Sequence, residues 1–260
     1  MSSSRKSFLK NSILSSLALA APWTFPDFAG AGNAVQPPSG KRKFTMQLNG
    51  GLIGVNADQL QQINLAYKYG FESVAASPGY LGKLSADQLQ ALQDDMKEKK
   101  LSFGLGMINI EFRKSEEIFR NSLSALPASC AALQRAGVTR AMTWIMSNHP
   151  ELNYLQNFRQ HAVRLREIAG VLKDYNIRFG LEYVGPKSIW SAGKFPFIHT
   201  MAELKELIAA IGQINVGIHL DTAHWFTAGE SVDDILSLSN REVVGCDLND
   251  ALKGYSPIED

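Results

Sequence analysis

From Phe44 onward, short apolar runs alternate with stretches of helical spacing. Phe44–Leu48 and Phe71–Ala76 are apolar runs. Between them, Asp58–Tyr69 places Leu60, Ile63, Ala66 and Tyr67 on one helical face and ends at Gly70, a residue suited to a helix C-terminus. The pattern repeats. Helices are predicted over Ser85–Lys100, Glu116–Ala136 (with a bend at Pro127), Asn153–Tyr175, Thr200–Ile211 and Ser231–Leu238. Strands are predicted over Leu101–Ile108, Val138–Met146, Ile177–Val184, Val216–Asp221 and Val243–Leu248. Several strands are apolar almost throughout, as parallel strands covered on both faces must be. Strands and helices in this alternation predict an α/β fold with a parallel sheet.

Polar residues choose between a barrel and an open sheet. The glycine fingerprint of a dinucleotide site and the Walker-type phosphate loop are both missing from the sequence. Side chains with chemistry gather instead at the carboxyl ends of successive strands: Asn109 and Glu111, Asn148 and His149, Glu182, Asp221 and His224, Asp247 and Asn249. In a (β/α)8 barrel these ends converge on one mouth. The expected fold is therefore a TIM-type (β/α)8 barrel over residues 44–260, with about seven βα units present.

Ahead of the barrel, Arg5, Lys6 and Lys10 precede an apolar run, Ile13–Trp23, and small residues follow at Ala29-Gly30-Ala31. Residues 1–31 read as an export signal, and residues 32–43, with Pro37, Pro38, Ser39 and Gly40, as a linker. The apolar run is too short to span a membrane. The expected location is periplasmic or otherwise outside the cytoplasm, with no stable membrane span after cleavage. A homo-oligomer is compatible with the sequence. Among the 260 residues, 26 Lys and Arg face 25 Asp and Glu, a formal net charge of +1. There is no basic excess or stripe to favour nucleic acid. The two cysteines, Cys130 and Cys246, stand far apart and read as buried thiols rather than as a disulfide framework.

Strand periodicity defines the candidate site. Residues two apart share a face, which groups Gly180 with Glu182, Gly217 with His219 and Asp221, and Gly245 with Asp247 and Asn249. With those faces inward, Glu182, Asp221 and Asp247 lie at one height on three adjacent strands. Three carboxylates that close repel one another unless a cation lies between them. Oxygen ligands suit Mn²⁺, Mg²⁺ or Co²⁺, and an imidazole shifts the choice toward Zn²⁺. His219 shares a face with Asp221 and reads as an interior layer residue, with metal ligation as the alternative.

Three motifs carry a family resemblance. Gly180-Leu-Glu-Tyr-Val-Gly-Pro-Lys187 resembles the fifth strand of the xylose-isomerase-like barrels, the sugar isomerases and epimerases. Asn215–Phe226, with Asp221-x-x-His224, resembles their sixth strand, and Val243–Ala251 their seventh, with Asp247 where the family has His. The resemblance implies that Glu182 binds metal and acts as acid/base, that Asp221 and Asp247 are further metal ligands, and that His224 holds a substrate oxygen. Lys187 and His199 would flank the pocket, and Trp225 would stack on a sugar face. It implies a metal-dependent isomerase or epimerase of a sugar or keto sugar, working through a metal-stabilised enediolate. It also implies a further ligand Glu on an eighth strand, so Ser256–Asp260 is expected to begin the loop after strand seven rather than to end the protein. A non-catalytic sugar- or metal-binding barrel is the alternative. An endonuclease IV-like nuclease would share the barrel, but it calls for a His-rich zinc cluster and a basic face. The five histidines and near-neutral charge argue against it.

Overall fold

The computed structural model describes residues 43–250. The expected signal, linker and C-terminal segment lie outside these residues, apart from Lys43. Seven strands form one parallel sheet in chain order: β1 (Gln47–Leu48), β2 (Ser73–Ala76), β3 (Ser102–Met107), β4 (Arg140–Ile145), β5 (Arg178–Tyr183), β6 (Val216–Asp221) and β7 (Val243–Asp247). Five crossover helices join β1 to β6: α1 (Gln59–Tyr69), α2 (Ala86–Glu98), α3 (Glu116–Arg135), α4 (Tyr154–Asp174) and α5 (Met201–Ile211). Two short helices, α6 (Thr222–Thr227) and α7 (Val232–Leu236), join β6 to β7. Sequential parallel order with helical crossovers is the layout of a TIM barrel. β1 and β7 are the edges of the described sheet.

The helices begin where side chains can satisfy their free N–H groups. Asp58 accepts from the Gln61 N–H, and the Gln61 side chain accepts from the Asp58 N–H. The same reciprocal box opens α2 (Ser85 with Gln88), α4 (Asn153 with Gln156), α5 (Thr200 with Glu203) and α7 (Ser231 with Asp234). Each such cap contributes about 1 kcal/mol. α3 opens with Ser115 and continues through Pro127 as one helix.

The strand core matches the apolar reading. Phe179, Leu181 and Tyr183 on β5 and Val74 on β2 are fully buried, and Ile145 on β4 and Ile218 on β6 lie beside them in the same core. The sheet curls. A Cβ added at Gly245 on β7 would lie 2.7 Å from Leu105 Cδ1 on β3, so those strands face each other across the interior. The described strands thus form part of a barrel wall.

Two expectations need correction. The first strand is only Gln47–Leu48, shorter than Phe44–Leu48, because Phe44 is exposed and outside the pairing with β2. Cys130 is buried as expected, but Cys246 is exposed. Its side chain points opposite to Gly245 and Asp247, onto the outer face of the edge strand β7, which leaves its thiol uncovered. His149, beyond the end of β4, lies in a two-residue antiparallel ribbon in which Asn148–His149 pair with Phe195–Pro196. Its Nδ1 accepts from the backbone N–H of Glu151 and Leu152.

Candidate metal and substrate centre

Asp221 and Asp247 end β6 and β7, and Glu182 is the last residue but one of β5. The pairing register sets Asp221 opposite Asp247 and His219 opposite Gly245. All three carboxylates therefore reach the same end of the sheet on neighbouring strands. Glu182 is 8% exposed and Asp221 9%. Two overlapping groups of ligand atoms lie within 4.8 Å of one another: Glu182, Asp221 and His224, and Glu182, His219 and Asp247. Glu182 belongs to both.

The environment of each group follows from its place. Burial pushes the Glu182 carboxyl up to about 7. The nearby carboxylates of Asp221 and Asp247 push the same way, and His219 opposes them. Asp221 is held from two directions. Its Oδ1 accepts from the Ala223 N–H at 2.7 Å, which caps α6, and the Asn249 amide donates to both of its oxygens at 2.9 Å. Thr222 ties to Asn249 as well, accepting from its N–H at 2.8 Å, so the ends of β6 and β7 are fastened together. His224 Nε2 lies 4.0 Å from Glu182 Oε1, and burial lowers the pKa of its imidazole.

The loop that carries His224 and Trp225 is anchored by Glu230. This carboxylate accepts from the Tyr183 hydroxyl and from the Met201 N–H, so it joins β5, the start of α5 and the α6–α7 segment. Gly185 allows α6 to lie against the segment after β5: a Cβ there would sit 2.2 Å from the His224 carbonyl oxygen and 3.0 Å from the Ala228 nitrogen.

The fit of a divalent cation can be judged from these donors. Imidazole nitrogens approach the carboxylates: His219 Nε2 lies 3.2 Å from Asp247 Oδ2 and His224 Nε2 4.0 Å from Glu182 Oε1. Both ring nitrogens of His219 and Nδ1 of His224 are buried without a hydrogen-bond partner. A cluster of carboxylates with free imidazole nitrogens is the donor set of a Mn²⁺, Co²⁺ or Zn²⁺ site. These residues fit such an ion.

Of the residues singled out from the sequence, the structure gathers Glu182, Asp221, Asp247 and His224. It leaves three outside the cluster. Lys187 is exposed at the start of the short helical turn Lys187–Trp190. His199 stacks on Trp190 with ring centroids 4.8 Å apart, and its Nδ1 lies 2.8 Å from the Phe197 carbonyl oxygen. Trp225 donates its indole N–H to the Ser231 carbonyl and packs its ring on the core. Asn249 and Glu230 were not among the predicted site residues. Asn249 was legible as a neighbour of Asp247 two positions along the same face. Glu230 lies in a turn and carried no periodic signal.

A parallel βα wall with its carboxylate and imidazole groups at the carboxyl ends of adjacent strands defines the class: a TIM-type barrel with a candidate metal centre. Residues 63–257 match the family model of the xylose isomerase-like TIM barrel, and the chain belongs to that family. No curated protein matches it. Among solved structures it is similar to a xylose isomerase domain protein from Alicyclobacillus acidocaldarius subsp. acidocaldarius. That protein is 28% identical, with TM-score 0.68, over 78% of this chain and 71% of that one. It shares its fold with the IolI protein containing a bound zinc atom (15% identity, TM-score 0.64, 80% of this chain and 73% of that one). It shares it also with the 3-keto-D-glucoside 4-epimerase of E. coli (14% identity, TM-score 0.63, 81% and 80%).

Proposed function

We propose that the protein is a divalent-metal-dependent isomerase or epimerase of a sugar or related keto sugar, in which Glu182 moves a proton between carbon atoms. One observation carries this reading: a buried carboxyl, Glu182, gathered with two more strand-end carboxylates and two imidazoles at one end of the parallel sheet. The sugar epimerases among the similar folds support the substrate class.

Glu182, Asp221 and Asp247 would hold the ion. When bound, it would supply a Lewis-acid contact that polarises a substrate carbonyl. Glu182, largely shielded from water, takes the proton from the carbon beside that carbonyl. The charge then spreads over an enediolate, the proton of the adjacent hydroxyl passes to the former carbonyl oxygen, and the protonated Glu182 returns its proton to the neighbouring carbon for isomerisation. Epimerisation needs a second acid on the opposite face of the sugar. His224, 4.0 Å from Glu182, is placed to hold a hydroxyl or carbonyl oxygen at the same carbon atoms. Asn249 and the Ala223 N–H fix the Asp221 carboxylate and leave Glu182 as the mobile proton carrier. Lys187, His199 and Trp225 are assigned to the rim, where they would meet the far end of the sugar. The basic N-terminal segment and its apolar run support an exported protein.

The test is proton exchange. The full chain, loaded with Mn²⁺ or Zn²⁺, is incubated with a panel of ketohexoses in D₂O and followed by NMR. Deuterium should enter the carbon next to the carbonyl of at least one sugar, and Glu182→Gln should abolish it. Sugar binding without exchange in any member of the panel would favour a non-catalytic binding barrel instead.

A further inference from the structure

His219 is unusual among the buried polar residues. It sits in the middle of β6, 1% exposed, with both ring nitrogens lacking a hydrogen-bond partner. Burying a polar group unsatisfied is costly, so native proteins rarely leave one without a role. Its Nε2 lies 3.2 Å from Asp247 Oδ2, yet the two are not aligned as a hydrogen bond. Nε2, a Glu182 oxygen and an Asp247 oxygen lie within 4.8 Å of one another.

The neighbouring strands are cut away around this ring. A Cβ at Gly245, on β7, would lie 2.8 Å from His219 Nδ1 and 3.2 Å from its Cε1. A Cβ at Gly180, on β5, would lie 3.1 Å from the His219 Cβ. Either methyl would crowd the ring. Two glycines on the flanking strands therefore hold open a slot in which the imidazole reaches beneath the carboxylates. By contrast His224 stands on the short helix α6, partly exposed, at the open side of the cluster.

We infer that His219 supplies the nitrogen ligand of the metal centre beside Glu182 and Asp247, adding to the carboxylates that would hold the ion, and that His224 remains free for substrate. The inference rests on the metal-dependent reading above and deepens it. An imidazole in the set favours Zn²⁺ or Co²⁺ over Mg²⁺, which prefers oxygen donors. A ligand fixed in a strand also holds its geometry better than one on a short surface helix.

The experiment loads the full chain with substoichiometric Cu²⁺ and reads nitrogen coordination by pulsed EPR. Zn²⁺ affinity is measured in parallel by chelator competition. The wild type should show an imidazole nitrogen, His224→Gln should keep it, and His219→Gln should lose it. Zn²⁺ affinity should fall about 100-fold or more in His219→Gln, beyond the range seen for residues that only orient ligands. The His224→Gln result decides the matter even if His219→Gln does not fold. Loss of the nitrogen signal in His224→Gln, or its survival in a folded His219→Gln, overturns the inference and leaves the metal-dependent reading intact. An oxygen-only Cu²⁺ spectrum in the wild type does the same. A wild type that binds neither ion overturns both.

Discussion

In the proposed function, Glu182 concentrates the chemistry in one side chain. An exposed glutamate near pH 7 is fully ionised and a poor proton acceptor. Burial at the end of β5, among Asp221 and Asp247, moves its pKa from 4.5 to about 7. The direction has a consequence for stability. Between those values the folded, metal-free chain keeps a proton that the unfolded chain has lost. Stability therefore falls as pH rises through that window and levels off above it. The shift corresponds to something on the order of 3 kcal/mol. Metal-free Glu182→Gln should therefore resist urea better than the wild type at about pH 8, with the gap closing toward about pH 4.5. Equal midpoints at the higher pH would show that Glu182 carries no such strain. The same proton competes with a cation. Zn²⁺ affinity should climb with pH up to about 7 and flatten above it, by roughly one proton displaced per ion. Isothermal titrations in buffers of different ionisation enthalpy would count that proton, and a pH-independent affinity would argue that the ion does not touch Glu182.

Secondary-structure elements convert these residues into a site. β6 and β7 bring two acids together because their register sets Asp221 opposite Asp247, and β5, with Leu181 opposite Ile218, brings Glu182 alongside His219 just below them. The short helix α6 then folds back over β5, and its closeness depends on Gly185. Gly185→Ala would push a methyl into the backbone of His224 and Ala228, so α6 must lift. The expected cost is about 1–3 kcal/mol, read as a lower urea midpoint, with a larger loss of substrate affinity than of metal affinity. Unchanged sugar binding would place His224 outside the substrate site. This level of structure was largely legible in the sequence. Strong periodicity and the pairs Asp58–Gln61, Ser85–Gln88, Asn153–Gln156 and Thr200–Glu203 announce the helices, and the apolar runs announce the strands. α6 was not legible, because Thr222–Thr227 is too short for a periodic signal and is held by the Asp221 cap and tertiary packing. The acids could be named because strand alternation is strict. The ties made by Glu230 and Asn249 depend on which loops meet in space, and no local pattern encodes that.

At the scale of the molecule, the candidate centre is also a structural clasp. Its ligands come from three consecutive strands, and β7 is an edge of the described sheet. Without a cation, three acids at the ends of these strands repel one another, and the edge strand is the one free to move. With a cation, the repulsion becomes attraction that holds β7 to β5 and β6. A ligand that binds only the folded state stabilises it by about 2.7 kcal/mol at a free concentration of 100 times its dissociation constant. For a domain of this size that corresponds to roughly 5 °C or more in the unfolding midpoint. Zn²⁺ or Co²⁺ should therefore raise the midpoint of the full chain, and EDTA should reverse the rise. Asp247→Asn should blunt it more than a substitution at an exposed acid such as Glu98, which lies at the far end of α2. Hydrogen exchange would locate the effect, with the largest gain in protection expected in β7. An ion that leaves both the midpoint and the exchange of β7 unchanged does not bridge these strands, and Glu182, Asp221 and Asp247 would then be three separate acids rather than one centre.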